Sequence, residues 1–222
     1  VLGQTDAPDS SYIFNAPYST PNSGQFISRF SSDLDSLFLS VAFGRGDGSP
    51  DISPTAFLVD LCNKIYVAGW GGGLNSDIPG GLGRSANSTT NGLDITPSSA
   101  YQTTTDGNDF YLMVLEDDAS VLVYATYFGG NSSGDHVDGG TSRFDRNGIV
   151  YQSVCASCGP ANNDFPIVPG PGQVVSGTDQ SNNGTGSQCN NAVFKFDLEL
   201  PLAIADFDVP PSGCAPYIVN FS

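Results

Sequence analysis

Short apolar runs separated by polar stretches rich in Gly, Ser, Asn and Thr mark this chain as a succession of strands. Leu37, Leu39, Val41 and Phe43 alternate with smaller or polar neighbours and predict a strand over 37–43. Further strands are predicted at 26–30, 57–60, 64–68, 110–115, 122–128, 142–145, 149–154 and 192–196. Turn chemistry separates them: a Gly/Pro/Asp cluster at 44–50, Leu61-Cys62-Asn63 between two strands, and Asn147-Gly148 as a tight hairpin turn. Residues 1–24, with Pro8, Pro17 and Pro21, read as a long loop, and polar insertions run over 69–108 and 155–190. Nothing in the pattern predicts an extended helix.

The pattern repeats. Asp33, Leu37, Phe43, Gly44, Asp60 and Tyr66 recur as Asp118, Leu122, Phe128, Gly129, Asp145 and Tyr151, at a constant offset of 85 residues. A third copy opens at 192–197 and stops at Pro201. Repetition at long period implies stacked supersecondary units that cannot bury their faces alone. The expected organisation is a repeat region over 1–200, with units at about 25–108 and 109–190 and a third beginning at 191. The pattern changes over 201–222, where strands at 204–209 and 217–221 read as the start of a second, truncated domain. The expected class is all-β: four-stranded, propeller-type blades with long loops, two full units and a strand being too few to close a ring.

The charge balance of 7 basic against 23 acidic residues, net −16, disfavours nucleic acid and anionic membrane surfaces, which need clustered cations. No apolar run is long enough to span a bilayer and no signal peptide is evident, so membrane insertion is not expected and any leader would lie upstream. Five cysteines in a Lys-poor, Asn/Ser/Thr/Gly-rich chain fit an oxidising, exported setting.

Several segments resemble the β-propeller repeats of large secreted Bacteroidetes proteins. They are Tyr124-Ala-Thr-Tyr-Phe-Gly-Gly130, Asp145-Arg-Asn-Gly-Ile-Val-Tyr151, Asp164-Phe-Pro166, Phe194-Lys-Phe-Asp197, the stretch from Asp135 to Phe144, and Cys189-Asn-Asn. The resemblance covers roughly residues 18 to 200. Ala205-Asp-Phe207 and Gly213-Cys-Ala-Pro-Tyr-Ile-Val-Asn-Phe221 look like the opening of a PKD-type immunoglobulin-like domain. The resemblance implies a segment of a large gliding-associated or adhesin-like surface protein, exported by the type IX route.

Candidate chemistry is sparse. Cys155, Cys158 and Cys189 with the sole histidine, His136, offer a tetrahedral zinc set, but disulfide pairing is the favoured reading, with Cys158–Cys189 as the leading pair and Cys155 and Cys62 as further candidates. Asp106, Asn108, Asp109, Asp135 and Asp138 are oxygen donors for Ca²⁺, although neither segment fits the twelve-residue loop pattern and turn geometry explains such residues as well. Asp60 and Asp145, equivalent in the repeat, are expected to accept backbone N–H bonds from the turns that follow, and Tyr66 and Tyr151 to pack between units. Trp70, beside three glycines, could stack on a sugar ring or fill the space between units; the second is favoured. Arg45-Gly-Asp47, four Asn-x-Ser/Thr sites and the Asp35-Ser-Leu37 acceptor-like tripeptide are short matches of little weight.

No nucleophile–base pair, phosphate loop or metal cage stands out, and no obligate cofactor is expected. The leading functional reading is a non-enzymatic, secreted or cell-surface structural and adhesion protein whose partners are itself, other surface components or glycans. The alternatives are a glycan-binding or carbohydrate-active propeller and a self-assembling extracellular filament subunit.

Overall fold

A computed structural model describes residues 1–5, 10–73, 87–137, 142–159, 164–167, 189–198, 202–203 and 213–214. Among these residues there is no α-helix, only a 3-10 turn at Ser10–Tyr12. The strands are β1 (Leu2–Gln4), β2 (Gln25–Phe30), β3 (Leu37–Phe43), β4 (Ser53–Val59), β5 (Ile65–Trp70), β6 (Phe110–Leu115) and β7 (Leu122–Phe128). They continue with β8 (Gly134–His136), β9 (Ser142–Phe144), β10 (Ile149–Cys158), β11 (Asn190–Asp197), β12 (Leu202–Ala203) and β13 (Gly213–Cys214). Among the described residues all pairings are antiparallel, and none of the sheets closes on itself.

Three sheets carry the repeat region. β1-β2-β3 form the first and β4-β5-β6-β7 the second; in the third, β10 is flanked by β11 on one side and by β8 and β9 in succession on the other. The sequence repeat and the sheets are out of phase. The strand set read as one four-stranded unit, β2 to β5, divides between two sheets, and the second sheet joins the last hairpin of one repeat to the first hairpin of the next. That joint is β5–β6, in register from Ile65↔Leu115 to Trp70↔Phe110. The reason lies in composition. Every residue of β5 and β6 is apolar or glycine and buried, which requires a central position covered on both faces.

The middle sheet supplies those two faces. Tyr66, Ala68, Trp70, Phe110, Leu112 and Val114 pack with Val150, Val154, Phe165, Phe194 and Phe196 of the third sheet and its loop. Ile65, Val67, Tyr111, Met113 and Leu115 pack with Ile27, Leu39, Val41 and Phe43 of the first. The strand period of two thus sorts one chain segment into two cores.

Polar stretches read as loops cover strand edges. Phe14 and Ser40 exchange backbone hydrogen bonds (2.9 and 2.7 Å), and Thr20 N–H donates to Ala42 C=O (2.9 Å), closing the outer edge of β3. Thr96 exchanges bonds with Ala125 (3.2 and 2.7 Å), and Tyr127 N–H donates to Gln102 C=O (3.1 Å), closing that of β7. These two edges are thereby removed as templates for association.

The repeated turn carboxylates behave as the sequence predicts. Asp60 Oδ1 accepts from the Cys62 and Lys64 amides (2.8 and 2.9 Å), and Asp145 Oδ1 from the Asn147 and Ile149 amides (2.8 and 3.1 Å). Asn63 and its repeat counterpart Gly148 both take positive φ, 62° and 81°. The tyrosines diverge. Tyr66 is 2% exposed beneath the third sheet, whereas Tyr151 is 39% exposed on that sheet's outer face, beside Lys195. β12 pairs with β13, and the strands predicted at 204–209 and 217–221 lie outside the described residues.

Candidate functional site

The most unusual chemistry gathers where β7 ends, at Gly129-Gly130, against the start of β6 and the facing ends of β8 and β10. Asp109 precedes β6 and is held by its own backbone, whose carbonyl accepts from Gly71 N–H (3.0 Å). Asp135 lies in β8, with Oδ2 accepting from Gly130 N–H (2.8 Å) and Oδ1 from Ser157 N–H (2.7 Å). Asp109 is 0% exposed and Asp135 1%. A methyl group built on Gly129 would overlap Asp109 Oδ1 and stand 2.6 Å from Asp135 Oδ2, so both carboxylates converge on the space this glycine leaves. The Gly129 amide donates to Gln102 Oε1 (3.1 Å). Gly130 makes the same allowance for Asp164, whose carboxylate accepts from the Asn131 and Ser132 amides (2.8 Å each) and from the Ser132 and Ser133 hydroxyls.

The three carboxylates differ in how their charge is met. Burial raises Asp164, but the four donors outweigh it and hold the group below the usual carboxylate range. Burial pushes Asp135 up to about 7, opposed by the Gly130 and Ser157 amides and reinforced by the Asp164 and Asp106 charges. Burial also pushes Asp109 up to about 7. The nearby Thr105 hydroxyl and Asp106 amide oppose the rise, and the Asp106 and Asp135 charges add to it. Neither donor reaches bonding geometry, and both Asp109 oxygens lack a hydrogen-bond partner among the described residues.

The other predicted oxygen donors are otherwise engaged. Asp106 Oδ1 accepts from Asn108 N–H (2.8 Å) in a turn, and Asn108 Oδ1 accepts from Gly73 N–H (3.1 Å). Asp138 lies outside the described residues. Sequence reasoning singled out Asp109 and Asp135 but missed Asp164, Gly129 and Gly130 as parts of one cluster. The paired glycines after a tyrosine-rich strand were the available signal, since two adjacent glycines leave Cβ space on both sides of the chain.

Directly beside this cluster lies the sulfur chemistry. Cys158, at the end of β10, and Cys189, just before β11, form a disulfide across a separation of 31 residues. His136 Nδ1 is 3.3 Å from Cys158 Sγ, and the His136 ring tilts against Trp70 at 5.4 Å. Among the described residues, His136, Cys158 and Cys189 are the one trio of His, Cys or carboxylate side chains with ligating atoms within 4.8 Å of each other. With the two sulfurs bonded to each other, the thiolate pair that zinc would need is not offered. Cys155 faces His136 in register but stands outside that trio and keeps its thiol, so the four-residue zinc set is not assembled. Cys62 is disulfide-bonded. Replacing Cys158 or Cys189 by Ser is expected to cost roughly 3–4 kcal/mol from loop-closure entropy, checked by urea unfolding with and without reductant.

Trp70 corrects the sugar-stacking alternative. It ends β5 at 2% exposure between two sheets, and its indole presents no open face to a ring. The Arg45-Gly46-Asp47 tripeptide is likewise closed on itself. Arg45 Nε pairs with Asp51 Oδ1 (2.5 Å), and its Nη2 bonds Asp47 Oδ2 (2.6 Å) and the Asn87 carbonyl (2.7 Å). A separate cleft of about 260 Å³ at the other end of the sheets is lined mainly by apolar residues, among them Val1, Ile27, Phe30, Leu34, Phe57 and Val59. The chain matches no family model and no curated protein.

Proposed function

We propose that this chain is a non-enzymatic structural and adhesion segment of a secreted or cell-surface protein, a propeller-type repeat region within a larger chain that leads into a PKD-type domain. The observation that carries the reading is that its strand edges at β3 and β7 are covered by its own polar segments. Such a stack suits a rigid spacer that presents loops to other surface components or glycans. The Cys158–Cys189 disulfide supports an oxidising, extracellular setting. Among the described residues no helix is long and apolar enough to cross a membrane.

The carbohydrate-active alternative asks for two carboxylates flanking an open cleft, about 5–10 Å apart. Of Asp106 and Asp109, on which that reading rests, Asp109 is buried and Asp106 is committed to its own turn. The filament alternative asks for open edges, which the covered edges of β3 and β7 do not favour.

Sedimentation of the purified chain, together with intact-mass analysis of the native material, tests the proposal. The expected results are a monomer across a wide concentration range and a native mass far above 23.1 kDa. Concentration-dependent assembly would bring the filament reading forward. A native mass near 23.1 kDa would overturn the larger-protein reading.

A further inference from the structure

The two repeats handle the same buried position in opposite ways. Gly44 and Gly129 are equivalent at the constant offset, and each follows the second strand of its repeat. After Gly44, the Arg45 amide donates to Asp51 Oδ2 (2.8 Å); after Gly129, the Gly130 amide donates to Asp135 Oδ2 at the same distance. A methyl on Gly44 would stand 2.6 Å from Asp51 Oδ2, as one on Gly129 would from Asp135 Oδ2. The backbone device is therefore repeated, and the charges around it are not.

In the first repeat a single buried carboxylate, Asp51, is met by the Arg45 guanidinium (2.5 Å). In the second, the position of Arg45 is taken by Gly130, which has no side chain, and the position of Gly24 is taken by Asp109, which adds a second carboxylate. One acid with one base has become two acids with no base. Among the described residues, no Lys or Arg forms an ion pair with Asp109 or Asp135. The acidic Asp106 and Asp164 lie close enough to add to the negative field.

We infer that Asp109 and Asp135 form a divalent-cation site of the oxygen-donor kind that takes Ca²⁺, in the place where the first repeat carries Arg45. A further observation supports it. Asp109 is fully buried, its Oδ1 lies in the space beside Gly129 on which Asp135 Oδ2 also converges, and among the described residues no donor meets either of its oxygens, an arrangement that is costly for a charged carboxylate without a cation. All-oxygen, doubly anionic donors select a hard cation over the softer metals that the neighbouring sulfurs would take.

The test uses the full chain with its disulfides formed, stripped with chelator and titrated with CaCl₂ by calorimetry and thermal unfolding. One Ca²⁺ per chain is expected, with a rise in Tm of roughly 5 °C at saturation. Asp109→Asn and Asp135→Asn should each weaken binding at least about tenfold, as loss of a ligand exceeds loss of an outer-shell partner. Asp106→Asn, exposed and committed to its turn, should retain the calorimetric signal. Because Asp109→Asn removes a buried charge, the chelated variant should melt no lower than the chelated parent, so loss of binding cannot be ascribed to misfolding. No heat and no Tm shift at millimolar CaCl₂, or binding that survives both Asp109→Asn and Asp135→Asn, overturns the inference.

Discussion

Gly129→Ala is expected to destabilise the chain by more than about 4 kcal/mol, beyond the usual range for a point substitution. The added methyl would overlap Asp109 Oδ1 and press on Asp135 Oδ2 at 2.6 Å. Neither carboxylate has a ready retreat. Asp135 is fixed by two backbone donors, and Asp109 sits at a strand start whose carbonyl is bonded to Gly71. The alternatives are to shift the end of β7 within the close-packed middle sheet or to expel a buried acid into apolar side chains, and both are costly. Gly73→Ala is the matched control, since a methyl there meets nothing within 4 Å, and it should change stability by less than about 0.5 kcal/mol. Pairing Gly129→Ala with Asp109→Ala should recover much of the loss, giving a strong coupling in a double-mutant cycle. Denaturant midpoints measure all of these; a Gly129→Ala loss under about 1 kcal/mol would show that the convergence on Gly129 is not as tight as described.

The strands were legible wherever apolar periodicity was strong. The runs 37–43, 110–115 and 122–128 coincide with β3, β6 and β7, in each of which four or more consecutive residues are buried. β1 and β8 were not legible. Leu2–Gln4 is a strand only because the edge of β2 lies beside it, and Gly134–His136 carries an acid and an imidazole where a strand ordinarily shows apolar residues. The phase between repeat and sheet was also hidden. The β5–β6 pairing closes across the whole 69–108 insertion, and no local signal says which of two neighbouring hairpins a strand will join.

At the site, residue type was informative and role was not. Asp106, Asn108, Asp109 and Asp135 look alike in sequence. Only the fold separates Asp106 and Asn108, which serve turn and loop amides, from Asp109, which serves none among the described residues. In sequence Arg45 shows only a short tripeptide match, because its partner, Asp51, lies past a Gly/Pro turn cluster. Comparing the repeats at the constant offset was the available signal. It sets Arg45 against Gly130 and Gly24 against Asp109, a change of net charge at a position where the backbone is the same.

That comparison also gives the second large effect. Arg45→Met should cost about 3–5 kcal/mol near neutral pH, because it leaves the fully buried Asp51 without its cation. The size of the loss should depend on pH. Burial already raises Asp51 above its ordinary value, against the hydrogen bonds and charge of Arg45 that lower it. Removing Arg45 removes the opposing influence, so the folded-state value rises further. A carboxyl whose folded value is raised contributes stability that is present below its unfolded value, near 4, and lost as pH rises through the folded value. The deficit of Arg45→Met relative to the parent should therefore be small near pH 4 and grow toward neutrality, the acid end being where Asp51 folds as the neutral acid. Adding Asp51→Asn should remove most of the pH dependence and part of the loss. The residue of the loss would report the bonds from Arg45 to Asp47 and to the Asn87 carbonyl, which are more exposed and contribute less. A deficit independent of pH, or one that Asp51→Asn leaves untouched, would show that Arg45 acts through packing of its stem and not through the buried charge.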